Sequence, residues 1–242
     1  LSEPEDELEV DAAGENAAAD EAEKNRQELA GSSSLEEALA RRDIQLKGKQ
    51  VTLLERYCER LWDWNEKINL TRHTTYDKFV ARDVVDSLEL AKLLEKDERV
   101  LDVGTGGGVP GVILAILRPD LTVVLNESVG KKARAVAEIV QEAKIRVPVV
   151  HGAVQHHMQD ATYDTLVVRA VAALPKLLIW TRPHWHRFGR LLLIKGPAWV
   201  EERKEARERR LMTGLELRKV ASYPLEGTYS ESVILQINPQ AK

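Results

Sequence analysis

The sequence predicts an α/β fold in which a mainly parallel sheet follows an N-terminal helical cap and ends on an antiparallel hairpin. Three features predict it: two amphipathic helical stretches come first, short apolar runs then alternate with helix-like segments, and two β-rich stretches close the chain. From Gln50 the apolar residues Val51, Leu54, Tyr57, Leu61, Trp64 and Ile68 recur at spacings of three and four, the period of one helix face. A second helical stretch runs from about Lys78 to Leu94. Strands are expected near residues 99–103, 121–126, 147–151, 164–169 and 190–195, with helices near 110–118, 130–143 and 174–182 between them. A charged helix at about 200–211 precedes strands near 215–223 and 231–237, separated by a turn around Glu226 and Gly227. The cap (residues 41–98) and the sheet region (99–242) are expected to form one folded unit.

Residues 1–40 read as an acidic, disordered tail. They carry 13 acidic and 2 basic side chains, leaving 26 acids against 33 bases in residues 41–242, so the net charge of −4 conceals a basic folded part. That balance suits a polyanionic partner as well as an ordinary soluble surface. No window resembles a membrane span, and the acidic start is unlike a signal peptide, so a cytoplasmic protein without membrane contact is expected. The single cysteine, Cys58, falls in an amphipathic helical pattern and reads as buried packing. Five histidines (His151, His156, His157, His184 and His186) lie close in sequence, but only Cys58 could add a sulfur ligand, and no metal is expected.

Chemistry concentrates where the first strand meets Gly104-Thr105-Gly106-Gly107-Gly108-Val109-Pro110-Gly111. Glycines allow a sharp turn and the close approach of a ligand, and Pro110 suits the start of the next helix. Gly106 to Gly111 also satisfies G-x-G-x-x-G, so a dinucleotide and a nicotinamide-dependent oxidoreductase stand as alternatives. Asp102, two residues before Gly104, separates the readings, because a carboxylate there suits the ammonium group of S-adenosyl-L-methionine and would repel a pyrophosphate. Glu127, after the second strand, can take the two ribose hydroxyls of either ligand.

These residues resemble the RsmG (GidB) family, guanine-N7 methyltransferases acting at position 527 of 16S rRNA. The resemblance spans roughly Gln50 to Asn238. It is carried by Lys67-Ile68-Asn69-Leu70-Thr71, Val85-Asp86-Ser87-Leu88, the run Asp102 to Gly111, Gly130-Lys131-Lys132, Arg169-Ala170 with Leu174, and Lys195-Gly196. It implies a Rossmann-like seven-stranded methyltransferase sheet with one reversed strand. Cofactor contacts are implied near Gly104, Gly106, Gly108 and Val109, from a loop at Val154 and Gln155, and from Arg169. Two departures stand out: Arg82-Asp83 where the family carries Arg-His, and Ala153-Val154-Gln155 where it carries an Arg-x-Glu-like stretch. They keep alive a third reading, an RNA- or ribosome-binding homologue with an altered target or no catalysis; a small-molecule methyltransferase is a fourth.

Attack by the in-plane lone pair of guanine N7 requires no prior deprotonation, so catalysis should rest on positioning, and the sequence names no acid–base pair. Asp86 is a candidate for favouring the cationic product, with helix N-capping or a structural salt bridge as its other readings. Candidate contacts to 16S rRNA or the 30S subunit are Arg72, Arg82, Lys131, Lys132 and Lys195. The helix with Arg203, Lys204, Arg207, Arg209 and Arg210 interleaves them with glutamates and reads as a self-paired solvent face. The protein is expected to act as a monomer.

Overall fold

The computed structural model describes residues 31–225 and 230–240. Helix α1 (Leu35–Ala40) falls inside the expected tail. Ser34 Oγ accepts from the Glu37 N–H at 3.1 Å, Glu36 and Glu37 occupy the first turn where a helix favours negative charge, and Leu35, Ala38 and Leu39 are buried. Asp77 anchors the segment, accepting from the Ser32 N–H at 2.6 Å and hydroxyl at 2.7 Å. The tail reading is therefore corrected for residues 35–40, whose apolar face the surrounding acids concealed. The acidic segment 1–30 and the turn at Glu226 and Gly227 lie outside the described residues.

Helix α2 (Gly48–Asn65) buries Leu54, Tyr57, Cys58 and Leu61 along the expected stripe. Burial pushes the Cys58 thiol up, so it remains protonated packing. The second helical stretch comprises α3 (Tyr76–Lys78), a π-helical segment (Phe79–Val84) and α4 (Val85–Ala91). Widened turns of this kind recur at functional sites, and this one carries Arg82 and Asp83.

The remaining chain alternates β1 (Arg99–Val103), α5 (Gly111–Leu117), β2 (Thr122–Glu127), α6 (Gly130–Glu142), β3 (Val149–His151), α7 (Val154–Asp160), β4 (Tyr163–Arg169), α8 (Leu174–Thr181), a 3-10 segment (Arg182–Arg187), β5 (Phe188–Lys195), α9 (Trp199–Glu208), β6 (Leu215–Pro224) and β7 (Glu231–Pro239). Seven strands form one sheet in the order β3-β2-β1-β4-β5-β7-β6. The first five run parallel, and β7 inserts antiparallel between β5 and β6. Alternate residues of the central strands enter two cores. Val100, Leu125, Leu192 and Ile194 face the cap with α5 and α6, whereas Leu101, Val124, Leu191 and Leu193 face α7, α8 and α9. Strand order reverses between β1 and β4, so the loops after their carboxyl ends diverge and leave a crevice.

Candidate active site

A cleft of about 970 Å³ opens at that crevice. Gly104, at the end of β1, has φ +69°, and a Cβ there would lie 2.7 Å from Val171 in the loop after β4; an L side chain would meet both backbone strain and a clash. The cap supports the loop from below, where the Tyr57 hydroxyl donates to the Gly107 carbonyl at 2.9 Å. Asp102 is buried beneath it. Its Oδ2 accepts from the Thr105 hydroxyl at 2.5 Å and the Gly111 N–H at 2.9 Å, and Gly111 has no room for a Cβ, which would sit 2.7 Å from that oxygen. Asp102 Oδ1 has no hydrogen-bond partner among the described residues. Burial pushes the Asp102 carboxyl up to about 6 despite the hydrogen bonds from Thr105 and Gly111.

Glu127, at the end of β2, accepts from the Gly106 N–H at 2.9 Å through Oε2 and from the Val129 N–H at 2.8 Å through Oε1. Two backbone donors thus hold the carboxylate against the glycine loop, and lone pairs remain for hydroxyl groups. An unsatisfied carboxylate oxygen beneath a glycine cradle, with a second carboxylate beside it, fits an ammonium-bearing nucleoside. A pyrophosphate would meet both negative charges.

The opposite wall is an ion cluster. Arg169, at the end of β4, reaches Asp83 Oδ1 through Nη1 and Asp86 Oδ2 through Nε, both at 2.7 Å. The hydroxyl of Tyr223, from β6, donates to Asp86 Oδ1 at 2.7 Å, and His73 Nδ1 lies 2.8 Å from Asp83 Oδ1. Burial opposes the charge on Arg169, but Asp83 and Asp86 outweigh it and raise its pKa above the ordinary arginine value. Asp86 is therefore engaged in a salt bridge, one of the two structural readings that the sequence offered, the other being helix N-capping. Asp83, a departure from the family pattern, is an integral partner of Arg169.

Of the residues singled out from sequence, Gly104, Gly106, Val109, Glu127, Arg169, Asp86, Arg72, Arg82, Lys132 and Lys195 line the cleft. Asp102 lies under its floor, and Gly108 is buried between Tyr57 and Val112. Lys131 is exposed away from the lining. The expected loop at Val154 and Gln155 is the first turn of α7, with Val154 buried in the core, so neither lines the cleft. Lys195 is already engaged, donating to the Ala172 carbonyl and pairing with Glu202, both at 2.7 Å. Sequence reasoning missed His73, Thr105, Val171 and Tyr223. Only Thr105, inside the glycine run, carried a local signal.

The sheet order, the glycine cradle and its two carboxylates define a methyltransferase of the S-adenosylmethionine-dependent class. Among solved structures, precorrin-6y C5,15-methyltransferase from Geobacter metallireducens shares the fold at a TM-score of 0.50 and 13% identity, covering 72% of this chain and 95% of that one. TrmK of M. capricolum, in complex with S-adenosyl-homocysteine, does so at 0.51 and 9% identity, covering 64% and 68%. The family model GidB, rRNA small subunit methyltransferase G, matches residues 50–227. Ribosomal RNA small subunit methyltransferase G of Rhodopirellula baltica is 54% identical over 172 residues, 71% of this chain and 74% of that protein. The protein of the same description from Desulfitobacterium hafniense is 33% identical over 202 residues, 81% and 84% of the two chains. The chain belongs to the rRNA small subunit methyltransferase G family.

Proposed function

We infer that this methyltransferase acts on N7 of guanine 527 in 16S rRNA, on the 30S subunit, in the cytoplasm and as a monomer. The observation that carries the reading is a single-chain cleft with one anionic wall and further cations in its lining. Asp83 and Asp86 face one guanidinium, Arg169, while Arg72, Arg82 and Lys132 line the same cleft. The cations suit RNA phosphates, and the anionic wall suits a reaction in which positive charge moves toward a purine.

S-adenosylmethionine, when bound, would supply an electrophilic methyl on sulfur for in-line attack by N7, with the carbon–sulfur pair leaving on sulfur. Glu127 would hold the ribose hydroxyls, and Asp102 the ammonium group, directly or through water. Arg169 holds the two carboxylates in place, so the field is organised before the base arrives. Arg82 Nε is buried without a hydrogen-bond partner among the described residues, a donor available to RNA.

Transfer of labelled methyl to 30S subunits that lack the mark, with the modified nucleotide mapped, tests the reading. Label is expected at N7 of guanine 527 and is lost in Asp102→Ala. Label at another nucleotide, or none despite cofactor binding, refutes it; the latter favours the binding-only homologue.

A further inference from the structure

His73 lines the cleft, and the mechanism above does not use it. It is held unusually firmly for a residue in a connection. Its N–H donates to Thr71 Oγ1 at 3.0 Å, and its carbonyl accepts from the Trp62 indole N–H at 2.8 Å. The ring is held as well, with Nδ1 2.8 Å from Asp83 Oδ1. An ionised carboxylate offers no proton, so Nδ1 carries the hydrogen and Nε2 keeps a lone pair. Arg169 already provides Asp83 with a positive partner at 2.7 Å, and His73 adds a hydrogen bond to the same oxygen. Nε2 has no partner among the described residues, and a quarter of the side chain is exposed.

We propose that His73 is a further catalytic residue, a neutral imidazole whose Nε2 accepts a hydrogen bond from N1–H of the target guanine, with Asp83 as its positioning residue. The inference rests on the guanine-N7 reading. As the N7–carbon bond forms and the carbon–sulfur pair returns to sulfur, the purine becomes cationic and its N1–H becomes a stronger donor. A bond accepted there tightens in the transition state, while the N1 proton remains on guanine. The contact also selects the base, because adenine presents a lone pair at N1 and would face Nε2 with like against like. The charges around the ring are Asp83 on the π-helical segment, Arg169 at the end of β4, Asp86 on α4, and Arg72, Arg82, Lys132 and Glu127 elsewhere in the cleft.

The test is steady-state methylation of unmarked 30S subunits, with kcat and KM for the RNA measured separately at saturating cofactor. His73→Gln should lower kcat about ten-fold with KM unchanged. Asp83→Asn, whose Oδ1 can still accept from Nδ1, should retain more of kcat than Asp83→Ala. His73→Asn is the second variant should His73→Gln not fold. A His73→Gln enzyme with the wild-type kcat overturns the proposal, as does a loss confined to KM. Wild-type protein that leaves no label at guanine N7 overturns the underlying reading instead, and the proposal with it.

Discussion

Arg169 and Arg190 stand at opposite ends of the β4–β5 strand pair, and both are largely buried guanidiniums held by carboxylates. Around Arg190 the hydrogen bonds close on themselves. It donates to Glu98 Oε1 at 2.7 Å, Thr165 Oγ1 at 2.8 Å and the Leu93 carbonyl at 2.8 Å, while Thr165 donates to Glu98 Oε2 at 2.8 Å. Around Arg169 they do not close. Asp83 Oδ2, Asp102 Oδ1 and Arg82 Nε are buried without hydrogen-bond partners among the described residues. Native proteins satisfy buried polar atoms almost everywhere, so the contrast separates an ion cluster whose hydrogen bonds are complete from one with bonding capacity left over.

The strongest way to break this comparison is to remove each guanidinium in turn. Arg169→Met leaves two buried carboxylates and Arg190→Met one without their guanidinium, and each should lower stability by about 3–5 kcal/mol in urea unfolding. Only Arg169→Met should also reduce methyl transfer by the folded protein, by about a hundred-fold or more. An equal loss of activity in both would erase the distinction between the two ends.

Asp102 sharpens it through pH. Its folded pKa of about 6 lies above the ordinary carboxylate value, so the folded state binds the extra proton. The resulting stabilisation is full below about pH 4 and is lost as pH rises through about 6, an effect on the order of 3 kcal/mol. Cofactor affinity should run the other way and fall as pH drops through about 6, because the ammonium group needs the ionised form. Thermal unfolding and calorimetric titration of wild type and Asp102→Asn across that range check both signs, and the variant should show neither dependence.

The smallest effect compares two lysines within the cleft. Lys132 makes no hydrogen bond or ion pair among the described residues, whereas Lys195 is tied to Glu202. Lys132→Ala should reduce the slope of log affinity for RNA against log salt by about one, and Lys195→Ala by less. Equal changes would show that the pairing with Glu202 yields to RNA.

Local features were the legible ones. The β1 strand, the glycine run and Glu127 lie within 30 residues, and each carries a periodic or compositional signature. Helix α1 was hidden because six residues with two glutamates do not stand out from an acidic segment. Helix α7 was hidden because its seven residues include two adjacent histidines and too few apolar positions to set a period. The ion cluster could not be read at all. Arg169, Asp86 and Tyr223 come from β4, α4 and β6, and no spacing rule links a tyrosine to an aspartate 137 residues earlier. For His73, the partner that gives the ring its orientation is Asp83, which from sequence looked like a departure rather than a contact.

That long-range bond from Tyr223 to Asp86 also orders events during synthesis. The helical cap, the glycine run and Arg169 all leave the ribosome before Tyr223, which follows Asp86 by an interval on the order of ten seconds at ordinary elongation rates. Until then a nascent chain can assemble the cradle while one side of Asp86 awaits its hydroxyl donor. The Asp86 side of the cleft is thus completed late, when β6 joins the sheet.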